Sequence, residues 1–295
     1  MLWFLLSFSS AVFSALAALM QKKVLFDMDP LEFSLKVTGL SLIFSFMLLP
    51  WIDNMMPGRE VIIIIAVKSV LGAFAFYNVM LAIQNLELSR ALPLLAATPA
   101  LVAITAFVII GDRITLVEAG GLFLIFFGSY ILELRKGDGI LSPFRAVANS
   151  KAHIYIFTAL FIFTATSVAD KYILTSYKTE PKIFLLYQQF FAFLFFALFW
   201  VFNQKRKGIS QDTKRKSGSG ITTIIVILGL VTFMYRYTQI EAVKLAPVAL
   251  VLSVKRLSVL FATVAGGKFY NENFKIRRTI AAALIVAGTI FLVKY

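Results

Sequence analysis

The sequence predicts an all-α membrane protein: ten transmembrane helices built as two inverted repeats of five. Three observations carry this. The 295 residues are 60% hydrophobic, with a mean hydropathy of +0.86, a composition foreign to soluble domains of that size. The apolar residues fall into ten runs, each about 20 residues, the length that crosses a ~30 Å hydrocarbon core. The last five runs repeat landmarks of the first five.

The runs cover 2–21, 31–51, 61–85, 91–110, 115–133, 154–175, 182–202, 221–242, 247–267 and 276–293. The first, beginning MLWFLLSF, has the length of a secretory leader. It has no basic residue ahead of its apolar stretch, and Lys22 and Lys23 follow it, so it reads as the first membrane helix. Asp29-Pro30 opens the second run. Lys36, near its start, is placed to snorkel to the interface. The third carries Lys68, Tyr77, Asn78 and Gln84; Lys68 lies about 10 Å into the span at ~1.5 Å per residue. Pro93 and Pro99 mark the fourth, and Gly120, Gly121 and Gly128 the fifth, as expected for kinks and close helix approach in a bundle.

Linker 134–153 separates the halves, giving repeats at 1–140 and 152–295, and holds the only histidine, His153, read as a solvated loop residue. The sixth run ends in Asp170 and Lys171, and Glu180-Pro181 opens the seventh, which carries Tyr187, Gln188 and Gln189. Lys171, near a helix end, is expected at the interface. Segment 203–220 is basic and rich in Ser and Gly, a solvent loop. The eighth run contains Tyr235, Arg236, Tyr237 and Glu241; Tyr237 and Glu241, four apart, share a face. The ninth carries Lys255 and Arg256 side by side, with Lys255 about 12 Å along a helix starting at Pro247. Each such charge costs about 2.5–3.5 kcal/mol on insertion scales, so a cavity, an acidic partner or an anionic ligand must offset it.

The repeat is visible residue by residue. Lys22-Lys23-Val24-Leu25 matches Lys171-Tyr172-Ile173-Leu174, and Phe33 aligns with Phe184. Gly111-Asp112-Arg113-Ile114 matches Asn271-Glu272-Asn273-Phe274, Gly128 falls opposite Gly288, and Ala97-Thr98 stands where Lys255-Arg256 stands. Five helices per copy is odd, so the second copy is inverted in the membrane, an arrangement that places a substrate site near the midplane between the halves.

Two five-helix repeats, each with an acidic element before its last helix, resemble the EamA family of the drug/metabolite transporter superfamily. The matching segments are VIIGDRITLVEAGGLFLIFFGSYIL (108–132) and FYNENFKIRRTIAAALIVAGTIFL (269–292). The second departs from the family pattern in having Asn271 where a glycine usually precedes the acid. The resemblance implies a ten-helix carrier of small metabolites working by alternating access, and it implies both termini in the cytoplasm. The distribution of Lys and Arg, dense in the loops that include Lys22, Arg135, Lys205 and Lys275, puts the termini outside instead. SVKRLS also resembles the Lys-Arg pair in the ninth helix of plastid phosphate translocators, which carry phosphorylated metabolites.

The net charge of +14 sits in loops between apolar spans, which argues against nucleic acid as a partner. There is no cysteine, and no metal-ligand spacing, catalytic triad or phosphate-cradling loop, so neither an enzyme, a metal site nor a cofactor is expected. Without an ATP motif, an ion gradient or exchange is expected to drive transport, unless a partner energises it.

Inside the spans basic residues outnumber acids, which favours an anionic or amino-acid-like substrate. The candidate substrate residues are Lys255, Arg256, Arg236, Tyr235, Tyr237, Lys68, Tyr77, Asn78, Tyr187 and Gln188; the candidate coupling acids are Asp170 and Glu241. The competing account of Lys255 and Arg256 is a salt bridge to Asp170, Glu241 or Glu87. The expected protein is a multi-pass carrier in the cell membrane, surrounded by lipid, with its fifth and tenth helices at the periphery or at a homodimer contact. The rival class is a channel or a non-transporting scaffold, and saturable counter-transport separates the carrier from both.

Overall fold

A computed structural model describes residues 1–25, 27–52, 57–85, 95–133, 151–207, 219–262 and 275–294. Its helices are α1 (Leu2–Leu25), α2 (Pro30–Ser45), α3 (Arg59–Asn85), α4 (Thr98–Ile110), α5 (Leu116–Glu133), α6 (Lys151–Thr175), α7 (Pro181–Lys207), α8 (Ser219–Leu245), α9 (Val248–Lys255) and α10 (Lys275–Lys294). No strand occurs among the described residues. Six helices there are long and apolar enough to cross a membrane: α1, α2 with its extension to Trp51, α3, α6, α7 and α8. Large apolar side chains such as Ile104, Val108, Leu116, Phe161 and Phe202 face outward, the surface a bilayer solvates.

Local chemistry sets the helix ends. Asp29 caps α2 through the Leu31 (2.9 Å) and Glu32 (3.4 Å) amides, with Pro30 in the first turn. Phe46–Trp51 tightens into a 3₁₀ helix rather than continuing the expected second span unchanged. The cause is Pro50, whose ring excludes an α-helical carbonyl four residues back, at Phe46. Gly111, at φ +67°, closes α4 in the left-handed conformation. Thr115 and Glu118 form a reciprocal capping box at the start of α5. Residues 151–153 lie in α6, so His153 belongs to a helix and not to a loop.

The pairing of helices has an exchange symmetry. Among the described residues, the nine most extensively packed pairs are α1/α8 and α3/α6, α2/α8 and α3/α7, α1/α9 and α4/α6, and the self-matched α2/α7, α4/α9 and α5/α10. Replacing helix n by n+5 leaves this set unchanged. Phe33 and Phe184, aligned by the repeat, are both fully buried.

Two expectations about continuous helices are corrected. Residue 95 is helical, residues 96–97 form a turn, and α4 begins at Thr98. In the ninth run α9 stops at Lys255, a turn falls at Arg256, and helix resumes over 257–262. Around Arg256 the ladder shortens: its N–H donates to Ser253 O (2.9 Å), and its carbonyl accepts from Val259 N–H (3.0 Å), both three-residue spacings. The breaks fall within two residues of each other in the repeat alignment. The remainder of both runs, the 271–274 motif, Glu87 and the Gln84 side chain lie outside the described residues.

The first half also holds the α8–α9 junction of the second. The Asp112 carboxylate accepts the Val248 N–H (3.0 Å) and so caps α9. Lys171 is buried, against the expectation of an interfacial side chain, and its Nζ donates to the Val243 (3.0 Å) and Ala246 (2.8 Å) carbonyls. Carbonyls at a helix end have no partner within the helix, and a lysine in the protein interior supplies one.

α5 and α10 close on a glycine seam. A methyl group added at Gly121 would lie 2.9 Å from the Gly288 carbonyl oxygen, and one at Gly128 would lie 2.8 Å from that of Ala281. A methyl at the neighbouring Gly120 meets nothing within 4 Å. Gly121→Ala should therefore destabilise the protein by about 1–3 kcal/mol, and Gly120→Ala should not. Thermal unfolding in detergent reads the difference, and equal melting temperatures would contradict the seam.

Candidate functional site

α3, α6, α7, α8 and the α9 break enclose a cavity of about 340 Å³. Its lining places four basic side chains, Lys68, Arg236, Lys255 and Arg256, around one carboxylate, Asp170. Lys68 and Asp170, both 5% exposed, form a direct ion pair between α3 and α6. Arg236 reaches the other Asp170 oxygen at 3.6 Å. Asp170 is thus the shared counter-ion of Lys68 and Arg236. The Lys68 ammonium also stands 4.4 Å from the centre of the Phe184 ring, a cation–π placement.

Lys255 is held differently. Its Nζ donates to Gln239 Oε1 (2.6 Å) and lies 4.5 Å from the centre of the Tyr235 ring. Arg236 Nη1 donates to the same Gln239 oxygen at 3.4 Å. Arg256 donates to the Leu95 carbonyl, which the break before α4 leaves open and which also accepts from Thr98 Oγ1 (2.7 Å). The two helix breaks therefore meet through a guanidinium–carbonyl contact at the cavity wall. Of the salt bridges weighed for Lys255 and Arg256, the one to Asp170 is replaced by pairs from Lys68 and Arg236.

Of the residues singled out from sequence, Lys68, Asp170, Gln188, Tyr235, Arg236, Lys255 and Arg256 line the cavity. The others lie off its lining. Tyr77 packs edge-on against Phe199, and Tyr187 stacks with Phe191. Asn78 is buried in α3. Tyr237 stacks on Phe233 and shares its α8 face with Glu241, one turn on. Neighbours on a helix differ by 100°, so the face of α8 that brings Arg236 inward turns Tyr237 and Glu241 away. That same face carries Thr232 and Gln239, which sequence reading passed over although their spacing from Arg236, four before and three after, marks it. Gln189, also in the lining, donates to Ser41 Oγ (2.8 Å) and ties α7 to α2.

Chemically this is a polar, positively charged chamber inside an apolar bundle. Among the described residues no group of His, Cys, Asp and Glu is arranged to hold a metal ion. The model of the EamA-like transporter family matches residues 1–134 and 150–294. One solved crystal structure superposes with a TM-score of 0.76, covering 99% of this chain and 96% of that one, at 16% sequence identity; it is a likeness of fold. No curated protein matches the chain.

The two kinds of basic residue should respond differently to substitution. Asp170→Ala leaves the buried Lys68 and the half-buried Arg236 without their carboxylate and should cost about 3–5 kcal/mol. Lys255→Gln removes a charge whose partners are neutral and should leave the melting temperature within a few degrees of wild type. Thermal unfolding of both variants tests this. Equal losses would mean that Lys255 is as structural as Lys68.

Proposed function

The chain belongs to the EamA-like transporter family and is an integral multi-pass membrane protein, and from that premise we propose that it is a secondary transporter of a small anionic metabolite. The proposed architecture is ten membrane helices in two inverted repeats, 1–140 and 152–295, resident in the cell membrane. The site lies between the repeats, and alternating access rocks one repeat against the other around it.

The single observation that carries the anionic cargo is the lining of the cavity, where four basic side chains face one carboxylate. A charge excess of that sign in a low-dielectric chamber attracts anions strongly and opposes cations. Lys255 and Arg256 form the anion-binding end, with Arg236 beside them. Arg offers a planar fork to a carboxylate or phosphate, and Lys a mobile point charge. Lys68 is bound to Asp170 and takes the supporting position. The breaks at Ala97 and Arg256 support the reading further, since non-helical backbone at membrane depth is tolerated where protein or a cavity surrounds it.

Purified protein in liposomes, assayed for uptake of labelled carboxylates and phosphate esters, tests the proposal. Wild type should show saturable uptake of an anion and counterflow from a preloaded lumen. Lys255→Gln and Arg256→Gln should insert and lose at least about tenfold in uptake, as for loss of a charged hydrogen bond of 1.5–3 kcal/mol, with Lys255→Gln also keeping its melting temperature. Uptake confined to cations or neutral solutes would overturn the anionic reading. Uptake unaffected by both substitutions would remove the pair from the site.

A further inference from the structure

The buried Ser and Thr hydroxyls of the cavity lining divide into two groups. Thr38, Thr98 and Thr166 line it, and each donates to a carbonyl three or four residues back in its own chain: Ser34 (2.7 Å), Leu95 (2.7 Å) and Phe163 (3.3 Å). This is the usual way a buried Ser or Thr in a helix satisfies itself. Ser69 Oγ and Thr232 Oγ1 do not do so. They are buried, at 2% and 8% residue exposure, and have no hydrogen-bond partner in the protein; nor has Gln188 Oε1. All three belong to the cavity lining. Ser129 Oγ is the remaining such atom among the described residues, and it is not in the lining.

A buried polar atom left unpaired costs about 1–3 kcal/mol. Three gathered on one chamber, beside hydroxyls that have found backbone acceptors, constitute a set of groups waiting for a ligand's own polar atoms. Their positions relate to the basic cluster. Ser69 follows Lys68 on α3, and Thr232 stands one turn before Arg236 on α8, about 6 Å along the axis. Gln188 enters from α7. An anion held at Lys255 and Arg236 can therefore extend its carbon chain past these three groups.

The chemistry of that chain is constrained. Gln188 Oε1 accepts only, so the ligand must bring a donor; the Ser69 and Thr232 hydroxyls both donate and accept. An ammonium would supply donors, but the positive chamber opposes it. Neutral hydroxyls satisfy all three groups. Resting on the anionic reading above, we infer that the cargo is a small hydroxylated organic anion, such as a sugar acid or a polyol phosphate. Its carboxylate or phosphate sits among Lys255, Arg236 and Arg256, and its hydroxyls sit on Ser69, Gln188 and Thr232.

The test uses matched anions that differ in hydroxyls and not in charge: D-gluconate against hexanoate, and glycerol 3-phosphate against n-propyl phosphate. Each is titrated by calorimetry against the full chain in lipid nanodiscs. At least one hydroxylated member should bind about tenfold or more tightly than its alkyl partner, two or three hydrogen bonds at about 0.5–1.5 kcal/mol each. In Ser69→Ala/Thr232→Val that preference should fall toward unity while the alkyl anion binds as before. The double variant removes hydroxyls that have no protein partner, so it should fold with undiminished stability; Gln188→Leu gives an independent third readout.

Equal binding within both pairs would overturn the hydroxylated cargo and leave the anion site standing. A wild-type preference that survives all three substitutions would overturn the assignment of these residues. Binding of neutral polyols with no anion bound at all would overturn the anionic reading beneath it.

Discussion

The structure depends on one buried carboxylate. Asp170 stands in α6 within an apolar bundle, and two basic side chains, from α3 and α8, converge on it. In such a medium an unpaired charge is costly, and removing one member of a buried pair is worse than never having had it. Asp170 thereby ties together three helices, α3, α6 and α8, inside the bundle. It also divides the basic residues of the cavity by task. Lys68 and Arg236 have a carboxylate in hand, whereas Lys255 rests on a glutamine oxygen and a tyrosine ring. On the proposed reading, the charge that the protein balances holds the fold, and the charge it leaves to neutral partners serves the ligand.

The helices around the cavity are arranged so that each half completes the other. Asp112, from the α4–α5 turn of the first half, caps α9 of the second, while within the second half Lys171 of α6 satisfies the carbonyls that close α8. Arg256 in the second break reaches the carbonyl freed by the first. Away from the cavity the contacts change character. α5 and α10 approach along glycines, with no room for a methyl at Gly121, Gly128 or Gly288, so their seam is rigid where the cavity side is polar and broken.

Much of this was legible in the sequence, and the limits are physical. Apolar run length located the helices, because the backbone of a membrane span must satisfy itself within a continuous helix. The depth of Lys255 and Arg256 pointed to the cavity that both residues line, because charge at that depth is rare without a purpose. The partner of Lys68 was not legible, since Asp170 lies 102 residues away and an ion pair leaves no local signature. The break at Arg256 carries neither Gly nor Pro. The aromatic candidates were overcalled for a geometric reason: Tyr235, Arg236 and Tyr237 are consecutive, and a helix cannot turn all three inward. Gln239 was passed over although it lies on the Arg236 face; its importance comes from Lys255, sixteen residues away in the next helix.

The most direct measurement is a structure of the protein in lipid with selenate as an anomalously scattering anion, for wild type and Lys255→Gln. The account predicts a selenium peak inside the cavity in wild type, with selenate oxygens at about 3 Å from Lys255 Nζ and the Arg236 guanidinium, and its loss in the variant. Selenate ordered only on the basic loops, with the cavity unoccupied at saturating concentration, would contradict it.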